Sequence, residues 1–375
     1  MKNFLSDIFR RTRRIDQPKK TLYLHIGMGK TGTTALQLFF ADNRHALEQQ
    51  GILYPKLGEV SSAHHKLSPH VPRFLEQTWN FMSASDWAPQ VANTRCQCIL
   101  LSSELISRTS PEKVGPFCDS VRALFDLKVV IYVRRQDDIV MASYNQHIKS
   151  GMQKRPLLNI YQDMIPKFDY EALLSPWEES VGADSIIVRP YEHGQFFDGD
   201  LRKDFLKNVL GVEIGDRFRF DSTNPNPGLS KVTGEYLRMI NNVVEDEVRK
   251  KRFLDLLLDL ALHPRNDLEW DQDKEAYLPA DKRLEIIEKC HKSNAAVACK
   301  YLQRDDGHLF HNAAPEMNQP WHGNQLSTQT VASLSRYLAE QDPGLMRWLA
   351  NHVPQYCDDE KYAVKSAARF LAAAL

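Results

Sequence analysis

The chain has 375 residues, with 48 lysines and arginines balanced by 48 aspartates and glutamates, 42% hydrophobic residues and 26% charged ones. That composition is ordinary for a globular protein with a sizeable core, and the zero net charge argues against a chain whose main business is coating nucleic acid. No window approaches the eighteen or so uninterrupted apolar residues of a membrane span.

The first twenty residues, MKNFLSDIFRRTRRIDQPKK, read as a basic leader. They lack the apolar run and cleavage site of a signal peptide, while Phe4, Leu5, Ile8 and Phe9 beside four arginines allow a weak membrane-surface contact. A short apolar strand follows over Thr21–Ile26, then a Gly-rich loop, then helical spacing at Leu36, Phe39, Phe40 and Leu47 with Gly51 as a stop signal. Further strands are predicted at Cys98–Leu101, Lys128–Val133 and Ser185–Val188. Strands alternating with helices imply an α/β fold with a mostly parallel central sheet flanked by helices. Beyond about residue 230 the patterns turn helical, so the last third is expected to be helical, and His308–Gln325 is the best linker candidate. The expected division is leader 1–20, α/β domain 21–310, and linker with helical tail 311–375. The six cysteines are too sparse for a disulfide framework, and neither Cys96-x-Cys98 nor Cys290-His291 has a second pair to complete a metal site. Reduced thiols in a cytoplasmic protein, and no metal, are the expectation.

The loop Tyr23–Gln37, YLHIGMGKTGTTALQ, contains Gly29-Lys30-Thr31. A Walker loop would need a glycine at position 24, where the chain has Leu24, and a later strand ending in a metal-binding Asp, which is missing. In a shifted register Lys30-Thr31-Gly32-Thr33-Thr34 sits where a strand passes into a helix. Free backbone N–H groups and the helix dipole there favour an anion. The same two threonines would serve equally as ordinary capping residues. The third long strand ends in Arg134-Arg135, with Ser143 eight residues after Arg135. An arginine and a hydroxyl so placed can hold a second phosphate without magnesium; a capped helix beside a surface arginine would give the same pattern.

Together and in this order, the two segments resemble the sulfotransferases that use 3′-phosphoadenosine-5′-phosphosulfate. The resemblance covers roughly residues 21 to 230 and includes SIIVRPYEHGQFFDGDLRKDFLKNVLGV, which looks like the family's strand leading into Tyr-Glu. It implies a P-loop-like sulfotransferase fold, the loop Lys30–Thr34 on the 5′-phosphosulfate, Arg135 and Ser143 on the 3′-phosphate, and Tyr191 beside the adenine. Lys30 then stabilises the leaving phosphate, and no metal is required. Glu104, at the end of the second strand, takes the position of the cytosolic members' base and the chemistry of the heparan-modifying ones. The alternative base or substrate contact lies in SSAHHKLSPH, at His64, His65 or His70. The late Arg-Lys-Gly triplet of cytosolic members is missing here, with Ser230 or Lys231 as its substitute. The loop also looks like that of bacterial members associated with polysaccharides, so the expected acceptor is the hydroxyl or amine of a carbohydrate, with Trp79, Trp87 and Tyr144 as possible stacking rings. A magnesium-dependent kinase or NTPase and a non-catalytic nucleotide-binding protein on the same sheet are the competing readings.

Overall fold

The structure is a computed structural model that describes residues 18–73, 75–221, 228–265 and 275–375. Most of the basic leader, with its suggested membrane contact, lies outside the described residues. Five parallel strands form one sheet: β1 (Lys20–His25), β2 (Ile52–Leu53), β3 (Cys98–Ser102), β4 (Phe125–Val133) and β5 (Ile186–Pro190), in the order β2-β3-β1-β4-β5. β1 lies at the centre, with Tyr23 opposite Leu100 on one side and Lys128 on the other. The last five residues of β4 are fully buried, as expected for a parallel sheet covered on both faces. β2 went unpredicted because two residues make no readable apolar run.

Alternation along the strands feeds two cores. Leu22, Leu24 and Ile26 face one side, under the helices Pro111–Arg122 and Tyr170–Val181, while Leu100, Val130 and Tyr132 face the other. The second face is covered by α1 (Thr33–Asp42), whose Leu36, Phe39 and Phe40 recur at helical spacing, with Phe205. The short α2 (Arg44–Gln49) and α3 (Ala84–Ala92) precede α4 (Pro111–Arg122), α5 (Gln136–Lys149) and α6 (Tyr170–Val181). The C-terminal region is helical: α7 (Lys231–Val243), α8 (Glu247–Leu262), α9 (Ala280–Leu302), α10 (Thr328–Gln341), α11 (Pro343–His352) and α12 (Tyr362–Ala372). Its apolar side chains, such as Val331, Leu334 and Leu371, join the same core cluster as β1 and β4. The expected linker is fastened down, because Glu192 accepts the backbone N–H groups of His311 and Asn312 at 2.8 and 3.1 Å. Among the described residues no helix is long and apolar enough to cross a membrane.

The connection after β1 runs toward β2 and β3, whereas the one after β4 runs toward β5. The winding therefore reverses between β1 and β4, and a crevice opens beyond their carboxyl ends.

Candidate functional site

The loop after β1 is bent by three left-handed residues, Gly27, Lys30 and Gly32, at φ +52°, +72° and +73°. Lys30 is the one side chain among them held in that region, at a cost of about 1 kcal/mol, and such strain concentrates at functional positions. Thr31 closes the turn by donating its hydroxyl to Met28 O at 2.7 Å and is itself fully buried. A side chain at Gly32 would be strained at its positive φ, and its Cβ would lie 2.3 Å from Leu201 Cδ2 and 2.9 Å from Tyr191 Cε2, so those side chains would have to shift. Gly32 precedes α1 without a side-chain cap, so the first-turn N–H groups keep their capacity for an anion.

A cleft of about 570 Å³ opens over this turn. Lys30, Gly32, Thr33 and Thr34 line it on one side, with Tyr191 beside them. Tyr191 braces the loop through Gly32 and lies under the Arg134 guanidinium at 5.5 Å. From α5 come Asp138, Asn145, Gln146 and Lys149, and Tyr277 and Arg283 complete the wall. Lys30, Arg134, Lys149 and Arg283 outnumber the carboxylate of Asp138, so the cleft is cationic. Burial lowers the Lys30 amine, opposed by Glu104 and reinforced by Arg134. Burial, then Lys30, lowers Lys149 to about 8.

Two expected phosphate ligands are placed elsewhere. Arg135 donates to the fully buried Asp137 at 2.7 Å and to the carbonyls of Asn312 and Ala313 at 3.0 and 2.8 Å, outside the cleft lining. Asp137 is a carboxylate without solvent, and it needs both Arg135 and Arg283 around it. Arg134 lines the cleft instead, and donates to Lys30 O at 3.2 Å. Ser143 is likewise absent from the lining. The cleft-facing stripe of α5 is Asp138, Met141, Ala142, Asn145, Gln146 and Lys149, at helical spacing, and Ser143 is rotated off it. Arg134, Asn145, Lys149, Tyr277 and Arg283 are cleft residues that the sequence reading missed. The α5 stripe could have been found by continuing the helical period from Arg134 rather than Arg135, whereas Tyr277 and Arg283 are over a hundred residues away and carry no local signal.

Glu104 lies just past β3, outside the cleft lining, against the start of the loop: a Cβ on Gly27 would sit 3.4 Å from Glu104 Cα. Its carboxylate accepts from Gln37 Nε2 at 3.1 Å and lies 3.8 Å from His65 Nε2. The same Gln37 amide reaches Ser102 Oγ at 3.2 Å, and Ser102 Oγ lies 2.8 Å from Nδ1 of the fully buried His25. His65 is half-buried, bonded through Nδ1 to Ser103 Oγ at 2.8 Å; burial lowers its pKa and Glu104 opposes the shift. Lys30 feels Glu104 electrostatically while its ammonium donates to Gln146 Oε1 at 2.7 Å. Lys30 thus lines the cleft and interacts electrostatically with Glu104.

His64 does not join them. It is fully buried, its Nε2 on Pro55 O at 2.7 Å and its Nδ1 accepting the Ser102 N–H at 3.1 Å, which fixes the neutral form and a structural part. Burial carries it down to about 4. Ser230 caps α7 through the N–H of Thr233 at 3.2 Å, and Lys231 is buried against Glu275 at 2.9 Å, so neither reaches the cleft as a lid. Trp87 and Tyr144 are fully buried core residues, whereas Trp79 stays partly exposed.

Comparison with known proteins adds a distant relative. The chain is 26% identical over 176 residues to an uncharacterized protein of Archaeoglobus fulgidus, a stretch covering 47% of this chain and 46% of the relative. The alignment thus spans about half the length of that protein. No family model matches the chain, and no solved structure does.

Proposed function

We propose that this protein is a sulfotransferase that moves a sulfuryl group from 3′-phosphoadenosine-5′-phosphosulfate to a hydroxyl or amine, with a carbohydrate as acceptor. The observation that carries the reading is Lys30, which lines a cationic cleft beside an uncapped helix N-terminus and interacts electrostatically with the Glu104 carboxylate. The cleft suits a nucleotide with two separated phosphate groups. One fits the first turn of α1 with Lys30, and the other fits the cations Arg134, Lys149 and Arg283. Tyr191 offers the ring wall.

In this scheme the donor substrate supplies the sulfuryl group. Glu104 takes the acceptor's proton as the acceptor oxygen or nitrogen bonds to sulfur, and the bond from sulfur to the 5′-phosphate oxygen breaks. Lys30 neutralises the charge that collects on that phosphate, and the α1 N–H groups share it. Gln37 holds the carboxylate in place, with His65 3.8 Å away. Action on a cytoplasmic nucleotide pool belongs to the same proposal.

The test is calorimetric titration with 3′-phosphoadenosine-5′-phosphate, ADP and GDP, each with and without magnesium. The expected result is magnesium-independent binding that needs the 3′-phosphate and weakens sharply in Arg134→Ala. Magnesium-dependent ADP binding with no preference for the 3′-phosphate would replace this reading with a kinase or NTPase.

A further inference from the structure

A second cavity, of about 560 Å³, shares no lining residue with the cleft. Its volume is in the range of pockets that hold small organic ligands. Residues of α7, α12, the turn 155–159 and the segment 321–326 enclose it. Met239, Trp321, Tyr362 and Phe370 contribute its apolar wall. The Trp321 ring is fixed, since its Nε1 donates to Ala276 O at 3.1 Å and Lys231 Nζ lies 5.3 Å from its centroid. The turn is fastened to α7, because Lys154 O accepts Arg238 Nη1 at 3.1 Å and Asn242 Nδ2 at 3.0 Å. The walls are therefore built without an occupant.

Four polar side chains in those walls decide what fits. Glu235 is fully buried and already has its donors, the Tyr144 hydroxyl at 3.0 Å, Asn324 Nδ2 at 3.2 Å and Arg238 Nε at 2.6 Å. The Arg238 side chain is 12% exposed, and its Nη2 has no partner among the described residues. Arg155, at the rim, donates Nη2 to Asn159 O at 2.9 Å and makes no ion pair among the described residues. Two guanidiniums thus face one carboxylate that is already engaged, so the cavity favours an anion. Asn324 is nine-tenths buried, and its side-chain oxygen has no partner among the described residues. The other two such atoms, on His25 and Trp87, belong to residues that line neither opening. A buried acceptor left bare costs about 1–3 kcal/mol, which favours an occupant that donates to it.

We propose that this cavity is an effector site for a hydroxylated aromatic carboxylate. The carboxylate takes Arg238 Nη2 and Arg155, the ring packs among Trp321, Tyr362 and Phe370, and the hydroxyl donates to Asn324. Occupancy is felt in the cleft because a residue lining one opening bonds a residue lining the other. Asn324 Nδ2 donates to Tyr277 O at 3.1 Å, and the Tyr277 hydroxyl accepts Asn145 Nδ2 at 2.9 Å. Tyr277 and Asn145 both line the cleft. A donor on the Asn324 oxygen fixes the amide that holds Tyr277, so the cleft's own ligand is bound more tightly. That effect rests on the nucleotide reading of the cleft; binding in the second cavity does not.

The test is calorimetric titration of the full chain with 6-hydroxy-2-naphthoate, beside 2-naphthol, 2-naphthoate and dodecanoate. The hydroxynaphthoate is expected to bind most tightly, 2-naphthol and 2-naphthoate each losing one of its polar contacts. Its affinity should fall about tenfold in Arg155→Ser, the scale of one hydrogen bond to a charged group. Ser366→Trp, which places an indole in the cavity from a half-buried position on α12, should abolish binding. Thermal unfolding of both variants confirms that they are folded. Equal binding of 2-naphthol, tighter binding of dodecanoate, or unchanged affinity in Ser366→Trp would overturn the site. An acid lodged in the cleft instead would compete with 3′-phosphoadenosine-5′-phosphate and ignore Ser366→Trp. Saturating hydroxynaphthoate should tighten 3′-phosphoadenosine-5′-phosphate about fivefold, and the nucleotide should tighten the acid by the same factor. Both ligands binding with no mutual shift overturns the effector role. Acid binding without nucleotide binding sinks the sulfuryl-transfer reading and leaves the cavity's ligand standing, and the reverse result removes the cavity's ligand alone.

Discussion

The amide of Gln37 is one donor group held between two acceptors, Ser102 Oγ and Glu104 Oε2. It is 3% exposed, so its orientation is set by protein atoms rather than by water. Replacing it with leucine keeps the volume and removes the bond that aims the carboxylate. Turnover in Gln37→Leu should fall about tenfold, the scale expected when a reacting group loses its aim by a fraction of an ångström, while nucleotide affinity stays within about twofold. Steady-state kinetics beside calorimetry would read this split, and a variant with wild-type turnover would deny Glu104 its supporting bond. Lys30→Ala should behave differently from Gln37→Leu. In the proposed reaction it removes the charge beside the leaving phosphate, and turnover should fall about 10²- to 10³-fold, the range for losing one such stabilising group.

At the scale of elements, α5 shows what the sequence could and could not give. The strand, the loop and the following helix were legible because β4 is a long apolar run and Asp137 and Asp138 mark a helix start. Which of two adjacent arginines faces the cleft was not legible, since it depends on where the chain leaves the strand and on the buried Asp137 that captures Arg135. The one-residue difference carries down the helix, so Ser143 falls off the cleft lining and the stripe through Asn145 and Lys149 takes its place. The places of Glu104 and Lys30, just past the ends of β3 and β1, were legible because apolar runs mark where those strands stop. His64 and His65 look alike in sequence, and only packing separates a buried, doubly bonded imidazole from a half-buried one. Paired variants test the corrected register. Arg134→Ala should weaken nucleotide binding by about 1.5–3 kcal/mol, the range for a hydrogen bond to a charged group. Arg135→Ala should instead cost about 3 kcal/mol of stability, at the low end for breaking a buried pair because Arg283 still holds Asp137. Equal nucleotide affinities in the two variants would refute the assignment of Arg134.

For the whole molecule, two buried histidines set how the fold meets acid. His25 lies beneath the loop in the core between β1, Tyr132 and Phe205, with its Nε2 unpartnered, and burial drives its pKa to about 3. His64, fixed neutral by Pro55 and Ser102, stands at about 4, again chiefly through burial. Both values lie below the 6.5 of the unfolded chain, so between these limits the unfolded state binds more protons. Stability is therefore fully present above about pH 6.5, and it declines as the pH falls toward 4. Each histidine should remove about 2 kcal/mol by pH 5, from about 1.4 kcal/mol per pKa unit. Urea midpoints measured from pH 8 to pH 4.5 should show that decline, and His25→Phe should flatten it by about one proton's slope while keeping a ring among its aromatic neighbours. A wild-type slope in that variant would mean that His25 opens to water before the fold gives way. Because His25 reaches Ser102, and through it Gln37 and Glu104, the loss of this region in acid should take turnover with it. Activity would then fall no later than stability as the pH drops, and a chain that stayed active through its own unfolding midpoint would place the chemistry outside this network.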